Sequence, residues 1–221
     1  MRPFLVTGFE PYGGRGVNPA HEIMKLLDGT TVDGTTVVGR GLPVSFRSLK
    51  ARIGALVEEL SPAGVISIGL WPGEPMIRLE RIGVNVADFE IADNDGEIMH
   101  DAPISANGAA GRLASLPLRE IERALLAEGI PVRVSATAGT FLCNACLYSL
   151  LEAADAQARR IPCGFIHVPY MPEQVAGLLA DTRKQARIEM HQRADLPSMD
   201  IVRSRRAVEI AIVETMRVAG A

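Results

Sequence analysis

The sequence predicts an α/β fold: one domain over residues 1–221, built as a three-layer α/β/α sandwich around a mostly parallel, twisted sheet. Three observations predict it. Strand-like and helix-like stretches alternate along the chain, the pattern of strands joined through crossover helices. Gly64–Leu70 (GVISIGL) is a short unbroken apolar run, as expected of a strand covered on both faces. The 221 residues, 48% hydrophobic and 22% charged, suit one packed core of this class, with no internal repeat or low-complexity segment.

Each element follows from its residues. Pro3–Phe9 is rich in strand formers and closes at the turn-forming run Glu10-Pro11-Tyr12-Gly13-Gly14. Pro19–Leu27 has helical spacing, with Ile23, Leu26 and Leu27 on one side. Thr35–Val44 is extended. Leu49, Ile53, Leu56, Val57 and Leu60 recur at intervals of three and four, which marks an amphipathic helix. Ile77–Val86 (IRLERIGVNV) is extended, with its charges in the first half, and Asp93-Asn94-Asp95-Gly96 makes a turn. Leu118–Leu126 reads as a helix, Val132–Ala136 as a strand and Leu142–Arg159 as a longer helix. Gly164–Val168 is the last core strand and Ile201–Val218 the closing helix. The charged stretch Asp181–Asp195 reads as a solvated helix and loop rather than a binding site.

Composition removes several function classes. A net charge of -3 and a pI near 5.9, with no local basic patch, argue against nucleic acid as a partner. Apolar runs such as Gly64–Trp71 fall far short of the ~20 residues that span a bilayer, so no membrane partner is expected. The N-terminus enters strand-like sequence without the apolar stretch of a signal peptide, which fits a cytoplasmic protein. Three cysteines cannot build a disulfide framework. No G-x-G-x-x-G and no Gly-Lys-Ser/Thr loop is present, so nucleotide binding is not expected.

In open α/β sheets the chemistry sits at the carboxyl ends of strands, which singles out three stretches. The first, Thr137–Cys146, joins a strand to a helix and puts Cys143 near the helix's first turn. Unpaired N–H groups and the helix dipole favour a thiolate there, and the same donors suit an oxyanion. Taken alone, Cys143 reads more readily as a small buried apolar residue. The second stretch, Gly164–Pro172, places His167 at a strand end, where a general base could reach a cysteine on a neighbouring crossover. Such a Cys–His pair needs a third group to orient the imidazole; Glu80 is a candidate, with an exposed Glu–Arg pair as the plain alternative. The third stretch, Thr7–Gly14, could line an apolar slot with Phe9 and Tyr12. Cys143-Asn144-Ala145-Cys146 also has C-x-x-C spacing, but zinc needs about four ligands and no second pair accompanies it.

In this order, Val6–Gly14 with Asn18-Pro19, Glu80–Asn85, Asp93-Asn94, Thr137–Asn144, His167–Tyr170 and Leu196–Met199 resemble the pyroglutamyl peptidase I (pyrrolidone-carboxylate peptidase) family across most of the chain. The resemblance implies a cysteine exopeptidase that removes N-terminal pyroglutamate from peptides, with no cofactor or metal. It carries the nucleophile to Cys143, the base to His167 and the third catalytic group to Glu80, and it sets Phe9, Tyr12 and Phe141 around the lactam ring. It also implies a homo-oligomer, often a tetramer. The chain departs from the family where an Ala-Gly-Gly-Arg-like turn becomes Trp71-Pro72-Gly73-Glu74, and where a second family arginine aligns with Glu90. An acid placed close to the thiol would raise its pKa and oppose activation.

Overall fold

Side chains alternate between the two faces of a strand, so a sheet with helices on both faces has two apolar cores. The structure is a computed structural model that describes residues 2–184 and 196–220. In chain order the described residues form β1 (Phe4–Phe9), α1 (Pro19–Leu27), β2 (Thr31–Val32), β3 (Thr35–Leu42), α2 (Phe46–Leu60), β4 (Gly64–Leu70), β5 (Ile77–Val84) and β6 (Ala87–Phe89). They continue with β7 (Met99–Ala102), β8 (Gly111–Leu113), α3 (Leu118–Ala127), β9 (Val132–Thr137), α4 (Leu142–Asp155), β10 (Cys163–Val168), α5 (Pro172–Lys184) and α6 (Ile201–Ala219).

The central sheet runs β2-β3-β1-β4-β10-β5-β8, with β9 also paired to β5. The β1–β3, β1–β4, β4–β10 and β5–β9 ladders are parallel. The β2–β3, β5–β10 and β5–β8 ladders are antiparallel. β6 and β7 form a separate hairpin. On one face Phe4, Val6, Ile66, Ile68 and Ile166 pack with Ile23 of α1, Leu125 of α3 and Val208 of α6. On the other, Leu5, Val65 and Phe165 pack with Ile53 of α2 and Leu147 of α4. The expected three layers are present. β4 lies at the centre and is buried along its whole length. Each large apolar side chain buried this way contributes about 1.5–3 kcal/mol.

Local signals fix the helix starts. Asn18 Oδ1 accepts a bond from Ala20 N at 3.1 Å, with Pro19 at the first helical position of α1. Ser45 caps α2 and Asp200 caps α6. Several details differ from the sequence reading. Leu26 is 43% exposed, because it sits beyond the edge of the buried stripe of α1. α4 ends at Asp155 rather than Arg159; Arg159 instead donates to the Ser61 and Pro62 carbonyls. α5 and the short strands β2, β6, β7 and β8 carry too few periodic residues to announce themselves. Of the stretch 181–195, residues 181–184 close α5, while 185–195 lie outside the described residues.

β5 and β9 run against β1, β3, β4 and β10. The carboxyl end of β9 is therefore not beside that of β10. Ala138–Phe141 carries the chain back across the sheet, bringing Gly139 against the Trp71 ring, before α4 begins.

Candidate active site

Period-two alternation aims four side chains at one place. Ile77 and Leu79 of β5 face the α1/α3/α6 core, so Arg78 and Glu80 face α4. On β10, Ile166 and Val168 face the first core and leave Phe165 and His167 on the α4 side. The antiparallel register sets Phe165 opposite Glu80 and His167 opposite Arg78. Glu80 thus reaches its diagonal neighbour, and its Oε1 lies 2.8 Å from His167 Nδ1. Glu80 is 0% exposed and His167 1%. The plain alternative for Glu80, an exposed ion pair, is excluded.

Cys143 is the second residue of α4, whose N-cap Phe141 offers no side-chain bond. The first N–H of the helix to find a helical acceptor is that of Ala145, bonded to Phe141 O at 3.1 Å, which leaves earlier donors for the site. Asn144 pins this helix start to the end of β5. Its Oδ1 accepts from Val84 N at 2.8 Å, and its Nδ2 donates to Val84 O and Val86 O at 2.9 Å each. Gly69, paired with His167 across β4 and β10, makes room for the sulfur: a Cβ there would meet Cys143 Sγ at 2.9 Å and the Phe165 ring at 2.7 Å.

Cys143 and His167 line one cavity of about 560 Å³ with Phe9, Tyr12 and Phe141. Glu80 stands behind His167 and does not line it. The sequence reading missed Phe89 and Val44 in the wall, although Phe89 adjoins the departure at Glu90. Trp71, a departure expected to reshape the site together with Glu74, lines the wall, whereas Glu74 does not. The aromatic wall is continuous, with Phe89 and Phe141 edge-to-face at 4.8 Å and Tyr12 and Phe141 at 6.2 Å. Among the described residues no Lys or Arg lines the cavity; its charged lining side chains are Asp88 and Glu90 at the exposed rim.

Burial pushes the Cys143 thiol above its ordinary range; Cys146 and Glu80 add to this, and the Cys143 backbone N–H opposes it. Burial pushes His167 down, against the pull of its hydrogen bond to Glu80. Thiol and imidazole therefore rest in their neutral forms. Burial, with Cys143 and Tyr170 beside it, pushes Tyr12 up to about 12, so it is a phenol donor at neutral pH.

The two departing acids do not act on the thiol. Glu74 is 4% exposed and is held by Arg133 Nη2 at 2.7 Å and Arg78 Nη1 at 3.3 Å. Glu90 is on the rim. Cys146 is wholly buried next to Ser67, and burial pushes it up to about 12. All three cysteines are free. Among the described residues no cluster of three or more His, Cys, Asp or Glu could hold a metal ion, and no helix is long and apolar enough to cross a membrane.

The profile of the family described as pyroglutamyl peptidase matches residues 2–218. A pyrrolidone-carboxylate peptidase from Enterobacter sp. is 39% identical over 217 residues, covering 98% of this chain and 94% of that protein. One from Bacillus cereus is 35% identical over 218 residues, covering 99% and 94%. The solved structure of a mutant pyrrolidone carboxyl peptidase from Pyrococcus furiosus superposes with a TM-score of 0.88 at 36% identity, over 98% of this chain and 99% of the other. That of pyrrolidone carboxyl peptidase from Thermococcus litoralis gives 0.88 at 35% identity, over 98% and 94%. With a cysteine at a helix start, a histidine facing the same cavity and the match running nearly end to end, the chain belongs to the pyroglutamyl peptidase family of cysteine peptidases.

Proposed function

We propose that this chain removes N-terminal pyroglutamate from peptides, with Cys143 as nucleophile, His167 as general base and then acid, and Glu80 as the group that orients the imidazole. The observation that carries this reading is the His167 Nδ1–Glu80 Oε1 contact of 2.8 Å behind a cavity that Cys143 also lines. With Nδ1 engaged by Glu80, Nε2 is the nitrogen left to take the thiol proton.

The chain's own residues write each step. Cys143 Sγ attacks the pyroglutamyl carbonyl as its proton passes to His167 Nε2. The imidazolium is stabilised by Glu80, and the oxyanion takes hydrogen bonds from N–H groups at the start of α4. His167 then protonates the leaving amine. In the second half, water gives a proton to His167 and hydrolyses the thioester, which frees pyroglutamate and restores the thiol. Phe9, Tyr12 and Phe141 hold the ring. A neutral lactam suits walls of this kind, whereas a free N-terminal glutamate would bring in a carboxylate with no Lys or Arg among the described lining residues to meet it.

Hydrolysis of a fluorogenic pyroglutamyl amide by wild type, Cys143→Ser and Cys146→Ser tests the reading. Wild type should turn over, Cys143→Ser should lose about 10³-fold or more, and Cys146→Ser should retain activity. A folded wild type without activity would direct attention to a different amide, admitted by the Trp71 and Pro72 wall.

The three free cysteines support a reducing compartment such as the cytoplasm. By resemblance the working form is a homo-oligomer, a tetramer. Exposed apolar side chains such as Ile91 (67%) and Leu113 (68%) support association, and a monomeric mass by light scattering would end that proposal.

A further inference from the structure

Behind the cavity, one buried guanidinium meets Glu80, Trp71 and the end of β9. Arg78 is 8% exposed. Its Nε lies 3.0 Å from Glu80 Oε1, the same oxygen that faces His167 Nδ1 at 2.8 Å. That contact is an ion pair without hydrogen-bond alignment, and Glu80 Oε2 is buried without a hydrogen-bond partner. Arg78 Nη2 donates to Ser135 Oγ at 2.7 Å and to Thr137 O at 3.3 Å, at the point where the chain leaves β9 toward Cys143. The guanidinium lies over the Trp71 ring, 3.7 Å from its centroid, and Trp71 meets the His167 ring edge-to-face at 4.9 Å. Glu74 closes the cluster from the far side, 3.3 Å from Arg78 Nη1.

We propose that Arg78 is a positioning residue for the Cys143–His167–Glu80 site, with Trp71 as its stacking surface and Glu74 as its counter-charge. This rests on the pyroglutamyl peptidase reading and deepens it. A carboxylate oxygen held between a guanidinium and an imidazole nitrogen has a fixed direction, so Glu80 holds the imidazole in one plane rather than swinging behind it. The departures at Trp71 and Glu74 then act as a unit. The aromatic ring supports the guanidinium, and the acid neutralises a cation that would otherwise stand beside the His167 imidazolium and oppose it. The charged and titratable groups bearing on His167 are Glu80 and Arg78 from β5, Glu74 from the turn before it and Cys143 from α4; Arg133 of β9 acts through Glu74.

Two readouts test this on wild type, Arg78→Met, Arg78→Lys and Glu74→Gln. The first is the titration midpoint of the His167 ring by NMR of ¹⁵N-histidine-labelled protein, assigned through its loss in His167→Gln. It needs no substrate. The second is kcat and KM on a pyroglutamyl amide. In Arg78→Met the midpoint should rise and kcat fall about 10- to 100-fold, with KM within about threefold. In Glu74→Gln the midpoint should fall, because the cation loses its partner. Arg78→Lys keeps the charge but cannot hold Glu80, Ser135 and Thr137 together, so kcat should fall with the midpoint near that of wild type.

Midpoints that stay put or move together in Arg78→Met and Glu74→Gln overturn the proposal, as does an unchanged kcat in Arg78→Lys. If Arg78→Met does not fold, Glu74→Gln and Arg78→Lys decide alone. An inactive wild type with the opposed midpoint shifts intact would overturn the peptidase reading and not the cluster.

Discussion

In the proposed mechanism the acid side of the pH dependence belongs to His167. Its imidazole must be neutral to take the thiol proton, and burial holds its pKa below the ordinary 6.5. Activity should therefore rise through a midpoint lower than 6.5. Since Cys143 is pushed up rather than down, no loss assignable to the thiol should follow as pH rises to about 9. kcat/KM measured between pH 4 and 10 on a pyroglutamyl amide checks this; an acid midpoint above 7 would contradict it. The same shift sets a stability trend. A histidine whose folded pKa is depressed binds its proton more readily when unfolded, so stability is lost as pH falls below 6.5 toward the folded value. At this scale the sequence was informative where chemistry sits at an element's end: Cys143, His167, Phe9, Tyr12 and Phe141 all line one cavity. Arg78 was illegible. Its stacking ring and its hydrogen-bond acceptors come from Trp71 just after β4 and from Ser135 and Thr137 at the end of β9, and no local spacing encodes that meeting.

At the scale of elements, the site depends on how closely α4 approaches the sheet. Gly69 on β4 gives the sulfur its space and Gly83 on β5 gives the helix its own, since a Cβ at Gly83 would lie 2.9 Å from Tyr148 N. Gly69→Ala should lower kcat about 100-fold while costing about 1–3 kcal/mol of stability, because the new methyl displaces Cys143 Sγ or the Phe165 ring. Steady-state kinetics with urea denaturation measure both, and a variant with wild-type kcat would show that the sulfur is free to sit elsewhere. The long elements were readable, since α1, α2, β4 and α6 have clear periodicity or unbroken apolar runs bounded by caps. Strand direction was not. Periodicity is the same read either way, so the reversal of β5 and β9 could not be seen. Yet that reversal lets Glu80 approach His167 from mid-strand rather than from a strand end.

Over the whole molecule, charge is spread to a net of -3, but at the cavity it is one-sided. Asp88 and Glu90 line the mouth and are exposed, while no Lys or Arg does so among the described residues. The pyroglutamyl ring is neutral, so this field cannot discriminate at the ring; in the proposed reaction it acts on the residue beyond the scissile bond. Peptides with Lys or Arg after pyroglutamate should be cleaved with higher kcat/KM than those with Asp or Glu, by about two- to fivefold for each exposed charge. Salt should shrink the ratio, because the Debye length falls from about 10 Å at 0.1 M to 3 Å at 1 M. Glu90→Arg should invert the preference without moving the acid midpoint set by His167, since Glu90 lies outside the cluster of charges that bears on the imidazole. The comparison needs two pyroglutamyl peptides differing only in that residue, assayed at 0.05 M and 1 M salt with both proteins. A ratio indifferent to salt and to Glu90→Arg would mean that the leaving peptide departs along another wall, past Trp71 and Pro72, and that the acidic rim has no part in choosing it.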